Sequence, residues 1–475
     1  MPAAFPPPAP PPAENYSFGR TVLHSLQGKS WDYTTAPLNR AVLLLAVPMV
    51  LEMMMESLFA LADVFWVSHL GRNAIAVVGL TESVMSLIYA VAIGMCFAST
   101  AVVARRIGEK DPEGAARSAG QIILLGAAAA ALIGAVLGSL APDILRWMGA
   151  DAATIAVGAG FTRIMLGGNA TVFLIFLINA IFRGAGDPVL AMRTLGFANL
   201  LNIALGPCFI FGLGPFPHWG VAGAAVATNI GRGTGVLFQL WQLFGQRSRL
   251  RVRLRHFRPD RKIMGTILRP AWNGIGQLLI STTSWVGLYK ILALFGSSAL
   301  AGYTIALRLI MSVLMPSWGL ANAGATLVGQ NLGANQPDRA EASVKIALRF
   351  NVFFLGIVGA FFVILAHPIV GCFTKDPEVR HLGAQALWIV ALGLPLFAAG
   401  MCFEGAFNGA GDTGTPTRLN FYCLWLVQIP VGWILAKTCG LGPIGVFIAV
   451  PVSYSALAIS GGVFFRRGKW KLQKI

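Results

Sequence analysis

Charge is scarce in this sequence. Only 12% of its 475 residues are Asp, Glu, Lys or Arg, about half the share usual in a soluble protein. A soluble multidomain enzyme is excluded. Metal-binding residues are sparse as well. The six cysteines (Cys96, Cys208, Cys372, Cys402, Cys423, Cys439) lie scattered in or beside apolar stretches without ligand spacing, and they read as small buried hydrophobes. The six histidines do not cluster. No metal-ligand pair or nucleophile–base arrangement is visible in the apolar stretches, which argues against an enzyme and against a cofactor. No Gly-x-x-x-x-Gly-Lys-Ser/Thr loop is present, which argues against an ATP-driven pump. The start of the chain lacks a basic stretch followed by an apolar one, so no cleaved signal peptide is expected.

What fills the sequence is apolar: 56% of it is hydrophobic. Runs of roughly 20 apolar residues, long enough to cross a bilayer, recur along almost its whole length, as in residues 41–67, 121–142, 352–369 and 445–465. We count twelve, and expect an all-α integral membrane protein. The net charge of +17 would suit nucleic acid, but its distribution does not. Basic residues gather in alternate loops: Arg105, Arg106, Lys110 and Arg117; Arg247 to Lys262; Arg466 to Lys474. The intervening loops 212–220 and 295–299 have no Lys or Arg. This is the positive-inside pattern. It predicts cytoplasmic termini, and contact with anionic lipid rather than nucleic acid. The chain divides into a Pro-rich lead, 1–36, expected to be disordered; a six-helix lobe, 37–245; a basic linker, 246–262; a second six-helix lobe, 263–465; and a basic tail, 466–475.

The two lobes are copies. Gly71 to Ala76 resembles Gly296 to Ala301, Gly184-Ala-Gly-Asp187 recurs as Gly409-Ala-Gly-Asp412, and Gly108 and Pro112 match Gly333 and Pro337. Each pair stands 225 residues apart, and Gly223 matches Gly445 at 222. An even number of helices per copy relates the lobes by an axis along the membrane normal. Asp187 and Asp412 read as helix caps. Gly134 and Gly138 read as a close packing site.

Acids inside apolar spans are costly, and are functional candidates by default. There are five: Glu52, Glu56, Asp63, Glu82 and Glu404. The first three share one helix. At about 100° per residue, Glu56 lies about 40° and Asp63 about 20° from Glu52, spread over about 16 Å. Such a stripe suits a cation or proton pathway, because a carboxylate out of water favours a proton or a compensating cation. Pro48 lies one turn before Glu52 and can kink the helix. Met53 and its neighbours offer a pliable surface for a cargo. Glu82 could extend the cluster, and with Met53 and Glu404 it is expected to line the substrate cleft; Glu404, in the second copy, suits a structural or gating role as well as ion coupling. Because four of the five acids lie in the first copy, ion coupling is expected there.

With the run Leu61-Ala-Asp-Val-Phe-Trp-Val-Ser-His-Leu-Gly71, the paired Gly-Ala-Gly-Asp turns, Ala104-Arg-Arg-Ile-Gly108 and Val328-Gly-Gln-Asn-Leu-Gly333, the chain resembles the multidrug and toxic compound extrusion family over residues 38–468. The resemblance implies a two-lobed, V-shaped transporter, a monomer of the bacterial inner membrane. It would export small organic cations against protons or sodium. Asp63 matches the family's first-helix acid, and Asn202 matches an Asn lining the same lobe; a coupling sodium ion would sit at these two. Family members with that Asn usually carry Asp four residues later, where this chain has Gly206. The helix 7 Glu of a second branch is absent too. Glu52 and Glu56 are therefore expected to supply the missing charge. The competing reading is a lipid-linked oligosaccharide flippase of the same general fold, which the acid stripe disfavours.

Overall fold

The computed structural model describes residues 18–28, 31–245 and 249–473. A short helix, α1 (Phe18–Leu26), precedes the first lobe. That lobe comprises α2 (Leu38–Ser68), α3 (Arg72–Gly108), α4 (Pro112–Ser139) with its extension α5 (Ala141–Trp147), the broken pair α6 (Ala152–Gly167) and α7 (Ala170–Ala185), α8 (Pro188–Phe211) and α9 (Val221–Phe244). The second lobe repeats the order: α10 (Arg261–Leu292), α11 (Ser297–Gly333), α12 (Pro337–Gly371), the pair α13 (Pro377–Leu392) and α14 (Leu394–Ala410), a span from α15 (Gly414–Asn420) through α16 (Ile429–Trp433), and α17 (Pro443–Arg466). Among the described residues ten helical runs are long and apolar enough to cross a membrane, and the α13–α14 pair, bent by 52°, makes an eleventh. The twelfth is α9. Its 24 residues reach about 36 Å, but Thr228, Asn229, Arg232 and Gln239 dilute its apolar character.

The duplication is written into the backbone. The broken span turns at Gly168 in one copy and Gly393 in the other, 225 residues on. Gly186 and Gly411 end α7 and α14 at φ 80° and 84°, a left-handed conformation that glycine adopts without strain. Lys110 and Asn335 are the non-glycine residues with positive φ among those described, and both sit at 57°. Asp412 accepts from the Thr415 amide and hydroxyl at 3.3 and 2.7 Å, as a cap should. Asp187 occupies the equivalent position without a side-chain capping bond. Gly134 and Gly138 bring α4 against Gly167 of α6, where an added Cβ would lie 2.9–3.0 Å from its backbone.

Small residues also set the contact between lobes, as expected where lipid gives no hydrophobic drive for helix association. A Cβ on Gly108 of α3 would fall 2.0 Å from the Gln330 carbonyl oxygen of α11, and one on Gly333 would fall 2.2 Å from that of Arg105. A Cβ on Gly94 would fall 2.4 Å from the Ile275 amide nitrogen, and one on Gly319 would fall 2.7 Å from the Met49 carbonyl oxygen. These contacts run from mid-helix to the end carrying the linker and tail, here called the basic end. Toward the opposite end α3 and α11 expose Glu82, Arg308 and Met311. The lobes are closed at the basic end, and the cleft opens at the other.

The lead departs from expectation. Residues 1–17 lie outside the described residues, but α1 is helical and the segment after it is docked. Tyr33 is buried, Arg339 donates to the carbonyls of Tyr33 and Ala36, and Arg249 donates to those of Ala185 and Trp31. The proline run hides this in the composition. The linker and tail also pack: Gln121 of α4 donates to the carbonyls of His256 and Arg258 at 2.7 and 2.9 Å, and Lys471 pairs with Glu341 at 2.6 Å.

Candidate functional site: two unequal polar triads

The acid stripe on α2 is real, but it is not free. Glu52 is fully buried and accepts from Arg183 at 2.7 Å and Asn179 at 3.0 Å, both on α7. Glu56 accepts from Arg232 of α9 at 2.8 Å and Asn199 of α8 at 3.2 Å. Neither acid stands open in this state to supply the charge absent at Gly206. The acids stand out in the sequence, but the arginines that answer them lie on other helices. Arg183 and Arg232, each inside an apolar helix, were the available signal.

Asp63 differs. Two turns beyond Glu56, it is half-buried and has no hydrogen bond or ion pair among the described residues. Its charged neighbours are Glu82 and Arg232. Asn202 is buried in the same lobe, and its amide nitrogen donates to the Thr228 hydroxyl at 2.8 Å. Glu82 is exposed on the cleft side of α3, with Arg308 of the other lobe as its countercharge. Met53 is buried and lines no described cavity. The methionines that do line one are Met311, Met315 and Met401 of the second lobe. Lys290 is exposed.

That cavity, about 250 Å³, lies among α10, α11, α14, α15 and α17, and Phe97 and Thr100 of α3 close it from the first lobe. Its walls are aromatic and thioether, from Trp285, Trp318, Phe397 and Tyr454 as well as the methionines. Its polar floor is Glu404, with the side chains of Asn420 and Gln277 beside the carboxylate. Asn408 donates to Gln277 at 3.3 Å. One carboxylate oxygen of Glu404 and the amide oxygens of Asn408 and Asn420 are buried without a partner.

The repeat register explains this floor. Positions 52, 179 and 183 of the first lobe correspond, 225 residues on, to 277, 404 and 408. The first triad is Glu52, Asn179 and Arg183; the second is Gln277, Glu404 and Asn408. The acid has moved from one helix to its partner, and the arginine has become an asparagine. Glu56 corresponds, at 225, to Ser281, and Arg232, at 222, to Tyr454. The first lobe therefore carries two of its own cations against Glu52, Glu56 and Asp63. The second carries Glu404 with none. Each lobe is left with one uncompensated carboxylate, Asp63 in the first and Glu404 in the second, although four of the five acids lie in the first copy.

Similarity to known proteins agrees with this architecture. The MatE family model matches residues 48–208 and again 274–434, once in each lobe. A probable multidrug resistance protein NorM of Thermotoga maritima is 26% identical, covering 92% of this chain and 94% of its own. A probable multidrug resistance protein YoeA of Bacillus subtilis is 27% identical over 92% and 95%. A multidrug resistance MATE transporter of the MOP superfamily, solved in an outward-facing conformation, superposes with a TM-score of 0.87 at 28% identity, covering 93% of this chain and 98% of that one. With twelve spans in two lobes among the described residues and a family match in each lobe, the chain belongs to the MatE family of multidrug efflux transporters.

Proposed function

We propose that the protein exports organic cations by secondary antiport against protons or sodium ions, with the two lobes alternating about their shared cleft. The carrying observation is the triad at Glu404. Where the first lobe places a guanidinium on the buried carboxylate, the second places a neutral amide and a cavity. The cation must come from outside, and the aromatic and methionine walls suit an amphipathic one. Asp63, which has no hydrogen bond or ion pair among the described residues, is the coupling site in the first lobe. The basic end faces the cytoplasm, as the Lys and Arg bias requires, of a bacterial inner membrane. The transporter works as a monomer, because the cleft is complete within one chain.

Purified protein in liposomes, given a fluorescent organic cation and either a proton or a sodium gradient, tests this directly. Transport is expected under at least one imposed gradient. Glu404→Gln is expected to weaken cation binding about ten- to a hundredfold, the range for losing a charge-assisted hydrogen bond. Equal transport with no ion gradient, or unchanged affinity in Glu404→Gln, would overturn the proposal.

A further inference from the structure

The positive charge of the basic end gathers at one built corner. Where the linker meets α4 and α10, a cavity of about 440 Å³ is lined by Arg117, Arg255, Arg258 and Arg261 against Glu113 and Asp260. Gln121, 1% exposed, holds its walls together. Its amide nitrogen donates to the carbonyls of His256 and Arg258 at 2.7 and 2.9 Å, and its oxygen accepts from the Asp260 amide at 3.0 Å. Gly120 lets the linker come this close, since an added Cβ would fall 2.5 Å from the His256 carbonyl oxygen. Both acids are already used. Glu113 accepts from Arg255 at 2.9 and 3.0 Å, meets the His256 ring at 3.1 Å and lies 3.6 Å from Arg117. Asp260 caps α10, accepting from the amides of Lys262 and Ile263 at 2.9 and 3.3 Å. The guanidinium groups of Arg258 and Arg261 are exposed, with no hydrogen bond or ion pair among the described residues. Four arginines against two carboxylates leave the cavity with an excess of two positive charges.

The cavity lies where α10 enters the bilayer. The 32 residues of α10 reach about 48 Å, against about 30 Å of hydrocarbon. About six residues at each end therefore stand among lipid headgroups. Beyond the arginines, the same helix faces turn apolar. Leu268, Trp272 and Leu279 lie within about 20° of Arg261 around α10, and Leu268 and Trp272 are 49% and 76% exposed. Leu124, Ala128 and Ala135 lie within about 20° of Arg117 around α4. We propose that this corner binds one anionic phospholipid, its phosphate held by Arg258 and Arg261 and its acyl chains laid on the apolar faces of α4 and α10. A guanidinium meets phosphate oxygens through paired, charge-assisted hydrogen bonds. A glycerol headgroup suits the polar cavity, whereas the choline of a zwitterionic lipid would bring a cation into an excess of positive charge. A free phosphate would meet the arginines but leave Leu268 and Trp272 uncovered. Because α4 belongs to the first lobe and α10 to the second, one lipid touches both lobes beside the segment that joins them. The site does not depend on the cargo or on the coupling ion.

Thermal unfolding of the purified full-length protein in nonionic detergent tests this. Dihexanoyl phosphatidylglycerol, dihexanoyl phosphatidylcholine and inorganic phosphate are added separately at fixed ionic strength. The melting temperature of the wild type is expected to rise with the logarithm of phosphatidylglycerol concentration, as for a ligand of the folded state. Phosphatidylcholine and inorganic phosphate should give no comparable rise. Arg258→Gln with Arg261→Gln should need about ten- to thirtyfold more phosphatidylglycerol for the same rise, from the contribution of each arginine beside anionic lipid. Arg117→Gln with Arg258→Gln should weaken the response similarly, which covers the case in which the first pair misfolds. Arg466→Gln with Arg467→Gln removes the same charge from the tail and should leave the response unchanged. The proposal is overturned by an equal rise with phosphatidylcholine, or by inorganic phosphate matching phosphatidylglycerol. A folded cavity pair with the wild-type response overturns it too, as does a tail pair that weakens the response as much.

Discussion

Arg183→Met is expected to destabilise the protein by about 3–5 kcal/mol, because it strands the fully buried carboxylate of Glu52 without its cation. Asn179 remains, but one amide donor does not neutralise a charge. The double variant Glu52→Gln with Arg183→Met should recover most of that loss, since removing both members of a buried pair is often close to neutral. Arg146→Ala is the control. Its pair with Asp143 is 65% and 43% exposed, and exposed pairs contribute about 0–1 kcal/mol. Melting temperatures in detergent rank the four proteins. A single Arg183 variant as stable as the wild type would mean that Glu52 is not held as described. Arg183→Asn together with Asn179→Glu and Glu52→Gln would copy the Gln277, Glu404 and Asn408 triad into the first lobe. It should fold better than Arg183→Met, since it strands no more charge than the second lobe already tolerates.

Gly108→Ala is expected to open the seam at the basic end. Alanine favours a helix over glycine by about 1 kcal/mol, so local propensity predicts a gain. The contact predicts the reverse: the new Cβ would sit 2.0 Å from a carbonyl oxygen of the other lobe, and a backbone oxygen cannot swing aside. A cysteine placed at Ala104, buried beside the same contact, should react with a membrane-impermeant thiol reagent about tenfold faster in the Gly108→Ala background, which corresponds to a shift of about 1.4 kcal/mol in the closed state. Gly333→Ala should do the same, because it meets Arg105 from the other side at 2.2 Å. Gly265→Ala on α10, with nothing within 4 Å of its added carbon, should leave labelling unchanged. Equal labelling in all of them would show that the seam does not depend on these glycines.

Most of the fold was legible because length and composition govern it. Apolar runs recur at bilayer length, and a shared register fixes two lobes of equal count. Where legibility failed, a local signal was masked by a stronger neighbour. The prolines before residue 13 hid α1 and the docking of Tyr33. The polar residues of α9 lowered its apolar character. The candidate site was half legible. Asp63, Glu52, Glu56 and Glu404 were all visible as acids in spans, but their meaning depends on whether a cation sits opposite, and pairing is a property of packing. Arg183 and Arg232 stood in plain view inside apolar helices. Aligning the two halves at the repeat interval would have set Arg183 against Asn408 and shown which acid lacks its partner.

The glycine seam has a further consequence. Gly108 touches residue 330 while Gly333 touches residue 105, and Gly94 and Gly319 are likewise answered by residues 275 and 49. Patch i meets j, and j meets i, which is how the isologous face of a twofold homodimer is made. The chain is in this sense a dimer whose two subunits have been tied together by a linker. Joining them freed the two halves from having to be identical. The docking surface stayed self-complementary, since both sides must still close on each other. The interiors did not: one subunit sets guanidiniums against its acids, and the other sets neutral amides and a cavity there.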